Sequence, residues 1–185
     1  MTEKVTISVV SCEIGSIIVH SVEDSCIRIV LSTDRLEERG DNVFTRQLRA
    51  YLRGEITLLS FPVSYNLGPV FRKVLEYLRE NVPYGTIISY GDIGKNLKIS
   101  PRVVGFALAA NPLPLYFPCH RVVGKDSIGG FTIGKNINGL VWKKYLLSLE
   151  GSINEIYCSH GIGALNNRLR SGVQPPTDFV QPNHF

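Results

Sequence analysis

The run Pro118-Cys119-His120-Arg121-Val122 places a nucleophile, a proton acceptor and a cation on consecutive residues. Cysteine reacts as the thiolate, and a neighbouring histidine and arginine favour that form. The preceding proline restricts the local backbone. Adjacent Cys and His side chains point different ways, so a proton relay between them calls for an intervening water. By triad logic a third group should orient the imidazole. A lone cysteine in an apolar segment is more often a buried structural residue, so Cys119 needs support from elsewhere in the chain. A papain-like hydrolase is disfavoured, because its histidine should lie far from the cysteine in sequence.

The remaining cysteines, at positions 12, 26 and 158, are too few and scattered for a disulfide framework. Cys12, His20 and Cys26 invite a metal-site reading, but the tight ligand pairing zinc prefers is absent, so no metal is expected. In an up-down-up meander Cys12 and Cys26 fall at opposite sheet ends, too far apart to bridge; another topology would reopen that pairing. Both are read as small buried residues, and Cys158 and His160 as incidental.

The elements that must position Cys119 follow from pattern. Val5–Val10, Ser16–His20 and Cys26–Leu31 are β-rich runs separated by polar turns, which predicts an antiparallel meander. Phe44, Leu48, Tyr51 and Leu52 recur at helical spacing over roughly 42–53 and stop at Gly54. Residues 56–63 read as a further strand or an extended linker. Pro69 opens a helix whose apolar face is Val70, Phe71, Val74, Leu75 and Leu78. Ser89 can cap a helix over roughly 90–97, and Ser100-Pro101 can open another over roughly 101–110. Two short helices joined by a tight turn suggest a helix-turn-helix. The second contains Gly105, Ala107, Ala109 and Ala110, small residues that permit close approach either to a neighbouring element or to a ligand backbone. The proline-rich stretch 112–118 cannot be helical, and a last helix over roughly 139–149 shows Leu140, Val141, Tyr145, Leu146 and Leu149 before Gly151. Beyond it the tail has few apolar residues and should be loosely ordered.

With 185 residues, 44% of them hydrophobic and 19% charged, the chain is too apolar for a disordered protein and lacks the pattern of a coiled coil. Its length fits one ordinary domain or two small ones. No apolar run approaches a membrane span and no leader is evident, so an intracellular location is expected. Residues 1–65 carry 7 Lys/Arg against 9 Asp/Glu, and 66–150 carry 11 against 5, so the whole positive excess lies in the middle of the chain. Such a field attracts an acidic partner, commonly nucleic acid.

The cysteine segment resembles the active-site signature of the O6-alkylguanine-DNA alkyltransferases, or methylated-DNA–protein-cysteine methyltransferases. Pro83-Tyr84-Gly85 with Ser89-Tyr90, Arg102-Val103-Val104-Gly105, Asn111-Pro112, and Lys144 through Leu146-Leu147 to Glu150-Gly151 follow in the family's order. The resemblance is dense over 66–151 and extends to the amino-terminal third only by general pattern. It implies an α+β protein: a small α/β ribonuclease-H-like domain over 1–65, a mostly helical, winged-helix-like domain with the helix-turn-helix over 66–151, and a tail over 152–185. The implied function is DNA repair by irreversible, single-turnover transfer of an alkyl group from O6-alkylguanine to Cys119, without a cofactor. The partner would be double-stranded DNA carrying that lesion, bound by a monomer, with no membrane involved.

Roles carry over position by position. His120 would take the thiol proton through a water, and Glu150 would hold the imidazole. Tyr90 would protonate or hydrogen-bond the departing guanine, and Asn111 would brace the turn presenting Cys119. A base within a duplex must be flipped out to reach the cysteine, and Arg102 would fill the vacated space. Ser89, Tyr90, Val103 and Gly105 complete the implied DNA contacts, and Leu108, Val122 and Phe131 the base pocket. The chain departs from the family in having Phe131 where a tyrosine is common, and in a longer loop over 128–139. Two rivals remain: a non-catalytic binder of alkylated bases that recruits repair factors, and a helix-turn-helix transcription factor.

Overall fold

The computed structural model describes residues 4–131 and 139–153; most of the 128–139 loop, and the tail with Cys158 and His160, lie outside the described residues. Three strands, β1 (Val5–Cys12), β2 (Gly15–Val22) and β3 (Ser25–Ser32), form an antiparallel sheet in the order β1-β2-β3. Tight turns join Cys12 to Gly15 and Val22 to Ser25, and a bulge between His20 and Ser21 shifts the register. Gly15 is required at its turn: a Cβ there would lie 1.9 Å from the Ser32 carbonyl oxygen, at φ 149°. Cys12 and Cys26 lie at opposite ends of the sheet and are free thiols. Cys26 is buried as expected, whereas Cys12 is only half-buried, because the turn beside it is open to solvent.

Helix α1 (Val43–Leu52) starts at a capping box in which the Asn42 side chain accepts from the Phe44 and Thr45 amides and Thr45 Oγ1 accepts from the Asn42 amide. Its inner face buries Phe44, Leu48 and Tyr51 against the sheet. Residues 56–63 form an extended connection, tied to β3 by a single bridge between Cys26 and Val63. Pro62, which has no N–H to donate, limits pairing there to an isolated contact.

Helix α2 (Pro69–Asn81) buries Val74, Leu75 and Leu78; Val70, expected on that face, is exposed in the first turn. Strand β4 (Ile88–Ser89) leads into α3 (Tyr90–Leu97), and residues 98–100 turn the chain into α4 (Pro101–Ala109). Ser89 Oγ accepts from the Asp92 amide at 3.0 Å, and Ser100 Oγ from the Val103 amide at 3.3 Å, so both starts are capped by the residues expected to do so. The turn is tight enough that a Cβ on Gly94 would meet the Ile99 carbonyl at 2.8 Å.

A 3-10 turn, Cys119–Arg121, runs into β5 (Val122–Val123), which pairs in parallel with β4. The last described helix is α5 (Gly139–Leu149). Its inward face is Gly139, Trp142, Lys143, Leu146 and Leu147, while Leu140 and Val141 are exposed. Of the apolar residues read there, Tyr145, Leu146 and Leu149 do pack on the core, and Lys143 is buried where Leu140 and Val141 are not. Trp142 and Leu146 join the core of the β1–β3 sheet and α1, together with Leu113 and Phe117. A second cluster unites α2, α3 and α4 through Val74, Leu78, Ile93, Val104 and Ala107, and reaches Cys119 and Val122. No helix among the described residues is long and apolar enough to cross a membrane.

Candidate active site

Cys119 is 7% exposed and sits at the edge of a cavity of about 580 Å³. Tyr90, Gly105, Leu108, Asn111 and Phe131 line this cavity, and β3 closes its far side. The wall exists because the Ile29 amide donates to the Pro112 carbonyl at 2.9 Å, fastening the 111–118 segment to β3. Within that segment Leu115 adopts φ 73°, a left-handed conformation that costs a non-glycine residue about 1 kcal/mol. Burial of Leu113, Leu115 and Phe117 holds the turn in place.

Asn111 is its keystone. Its Oδ1 accepts from the Leu113 amide at 3.0 Å, while Nδ2 donates to the Phe117 carbonyl at 3.0 Å and to Cys119 Sγ at 3.1 Å. One amide therefore both shapes the turn and touches the sulfur. Burial pushes the Cys119 thiol above its ordinary pKa, and the Asn111 hydrogen bond and the Lys143 charge pull it back only in part.

Arg121 does not supply the expected charge at the sulfur. Its side chain points into a buried network, where Nε donates to Glu150 Oε2 at 2.8 Å, Nη2 to Oε1 at 3.1 Å, and Nη1 to the Val82 carbonyl at 2.6 Å. The physical reason is pairing: a guanidinium and a carboxylate that are both buried must satisfy each other. The cation whose charge reaches Cys119 is Lys143, fully buried, whose Nζ donates to the carbonyls of Val122 (2.6 Å) and Gly130 (3.1 Å). Burial holds its pKa down at about 8, the Cys119 charge opposing this. Sequence reasoning missed Lys143; the signal was its i, i+3/i+4 spacing with Gly139, Leu146 and Leu147 on the inward face of α5.

Glu150 gathers the network. His120 Nε2 lies 2.6 Å from Oε1, Tyr51 donates its hydroxyl to the same oxygen, and the Gly85 amide donates to Oε2 at 3.3 Å. Tyr84 adds a bond from its hydroxyl to the Leu149 carbonyl at 3.1 Å, so Pro83-Tyr84-Gly85 acts as a clamp on the end of α5. Burial pushes the Glu150 carboxyl up, but His120 and Arg121 outweigh it and hold it at about 2. His120 is pushed down by burial, which exceeds the opposing pull of Glu150. A neutral imidazole facing an ionised, acceptor-only carboxylate must carry its proton on Nε2. Nδ1 then keeps a lone pair, and it is buried without a hydrogen-bond partner among the described residues.

The other expected residues divide into two groups. Tyr90, Leu108, Asn111, Phe131 and Gly105 meet at the cavity with Cys119. Arg102 is exposed on α4 and Val103 is half-buried beside it. Ser89 caps α3 away from the cavity, and Val122 is buried with its carbonyl on Lys143 rather than in the lining. Burial keeps the Tyr90 hydroxyl above its ordinary pKa, helped by the Cys119 charge, so it remains a proton donor. Among the described residues no cluster of His, Cys, Asp or Glu could hold a metal ion.

The chain is similar to several known proteins. A family model described as "6-O-methylguanine DNA methyltransferase, DNA binding domain" matches residues 69–152. The methylated-DNA–protein-cysteine methyltransferase of Archaeoglobus fulgidus is 46% identical over 112 residues, covering 60% of this chain and 76% of that protein. The protein of the same name from Thermococcus barophilus is 34% identical over 150 residues, covering 80% of this chain and 82% of that protein. A crystal structure of Mycobacterium tuberculosis OGT in complex with DNA is similar over 79% of this chain and 92% of its own, with a TM-score of 0.67 at 26% identity. The mixed α/β fold is thus that of solved relatives, and the chain belongs to the methylated-DNA–protein-cysteine methyltransferase family.

Proposed function

We propose that this protein repairs O6-alkylguanine in double-stranded DNA by moving the alkyl group to Cys119 Sγ in a single, irreversible turnover. The observation that carries this reading is the placement of Cys119, held by Asn111 and under the charge of Lys143, beside a cavity at α4 with room for a base. In the reaction the S–C bond forms as the C–O6 bond breaks in line, leaving a thioether and guanine. The thiol proton passes through a water to His120 Nδ1, the ring nitrogen left free when Glu150 engages Nε2. Tyr90 gives the leaving purine its proton or a hydrogen bond, which makes it a better leaving group than the anion. No step needs a cofactor.

Arg102 enters the duplex from α4 and occupies the space of the flipped nucleotide, with Val103, Gly105 and Ser89 lying along the strand. Leu108, Phe131 and the backbone near Val122 shape the pocket. In this reading residues 1–65 form a ribonuclease-H-like support, for which the β1-β2-β3 meander followed by α1 speaks. Residues 66–151 form a winged-helix-like DNA-binding unit, supported by α3, its short turn and α4. The 152–185 tail has no assigned part. One thiol and one base suffice, so the working form is a monomer acting on DNA inside the cell.

The test is incubation with a duplex containing O6-methylguanine, followed by peptide mass spectrometry. Methyl on Cys119 is expected; methyl on another cysteine, or on none, overturns the assignment.

A further inference from the structure

Helix α4 presents two different faces. Val104 and Ala107 are buried against α2 and α3, and Leu108 turns toward the cavity. On the outward side Arg102, Phe106, Ala109 and Ala110 are exposed, and Phe106 is the most exposed large hydrophobic residue among those described, at 59%. Residues four apart on a helix stand side by side, so the Phe106 ring is the immediate neighbour of Arg102. Gly105, beside it, has open space where a Cβ would be, so packing within the protein does not require a glycine there.

We infer that Phe106 is a second duplex-contacting residue of α4, an apolar wedge that seats in the DNA groove beside Arg102 and eases the lesion-bearing nucleotide out of the stack. The inference rests on the DNA-repair reading above. Three observations favour DNA as the occupant. On α4 itself the exposed residues one turn from Phe106 are a cation, Arg102, and two alanines, Ala109 and Ala110, which leave a protein partner little large apolar surface to bury there. Residues 66–150 carry the chain's whole positive excess. The same helix lines the cavity of Cys119 through Gly105, Leu108 and Ala109, so anything seated on Phe106 lies at the rim of that cavity. Apolar side chains in the minor groove partially unstack a base step, and a base step already opened lowers the cost of flipping.

The test compares single-turnover transfer to Cys119 from three substrates: a duplex with O6-methylguanine, the same strand alone, and free O6-benzylguanine. Phe106→Ala is expected to slow the duplex reaction about tenfold, the size of one lost aromatic–base contact, and to leave the other two within about twofold. Phe106→Leu, which keeps an apolar wedge, should recover most of the duplex rate. The salt dependence of duplex binding should be unchanged, because Phe106 neutralises no phosphate. An unchanged duplex rate, equal losses on all three substrates, or a Phe106→Ala variant that turns a dimer into a monomer would each overturn the inference. If the wild type fails to react even with free O6-benzylguanine, the repair reading itself is what has failed. An exposed Phe→Ala change within a helix leaves the fold intact, which a melting curve confirms.

Discussion

Lys143 and Glu150 divide the electrostatics of the site between them. The first is a buried cation that lowers the Cys119 thiol against the effect of burial, and the second holds His120 and Arg121. Replacing Lys143 by Met removes the charge while keeping most of the volume. Transfer is expected to slow about tenfold at neutral pH, one pKa unit of thiolate, and the pH–rate profile to move toward higher pH. An unmoved profile would remove Lys143 from that role. Glu150→Gln leaves the Arg121 guanidinium buried without its counter-charge, and should reduce stability by about 3 kcal/mol at neutral pH. The folded carboxyl titrates near 2, below its ordinary 4.5. The stabilisation is therefore complete above pH 4.5 and disappears as pH falls through 2. Denaturant titrations across that window should show the gap between wild type and variant closing. The same variant should slow transfer on the folded protein while leaving DNA binding near normal.

At the scale of one element, two of the glycines in α3 and α4, Gly94 and Gly105, make opposite predictions. A Cβ on Gly94 would meet the Ile99 carbonyl oxygen at 2.8 Å, so Gly94→Ala forces α3 and α4 apart and should cost about 2 kcal/mol. Gly105 meets nothing, and Gly105→Ala should raise stability by up to about 1 kcal/mol through helix propensity. If α4 lies against DNA, that same variant reacts more slowly with duplex substrate than with free O6-benzylguanine. A stabilised variant with an unimpaired duplex rate would place Gly105 outside the interface. Arg102→Ala should likewise impair duplex repair more than reaction with the free base; equal losses would refute its flipping role.

Across the whole molecule, the β1–β3 sheet is not a separate appendage. Its core includes Leu113, Phe117, Trp142 and Leu146, Trp142 Nε1 donates to the Ser32 carbonyl at 3.0 Å, and Tyr51 of α1 reaches Glu150. Cys119 sits where this assembly meets the helical cluster. An alkyl group on Sγ displaces the Asn111 contact at 3.1 Å and crowds a packed turn. The alkylated protein should melt at a lower temperature than the free one; a rise after reaction would contradict this account.

The sequence by itself determined the local events. Ser89, Ser100, Asn42 and Pro69 set helix starts because capping and ring geometry act over three or four residues. Cys119-His120 named the candidate chemistry because a thiol and an imidazole are side chains that can serve as nucleophile and base near neutral pH. Tertiary structure decided what depends on approach through space. It turned Arg121 away from the sulfur, buried Lys143 where its charge reaches Cys119, and left Val70, Leu140 and Val141 exposed. The reason is desolvation: a buried charge goes where a partner can be found, and no spacing along the chain states where that partner will lie.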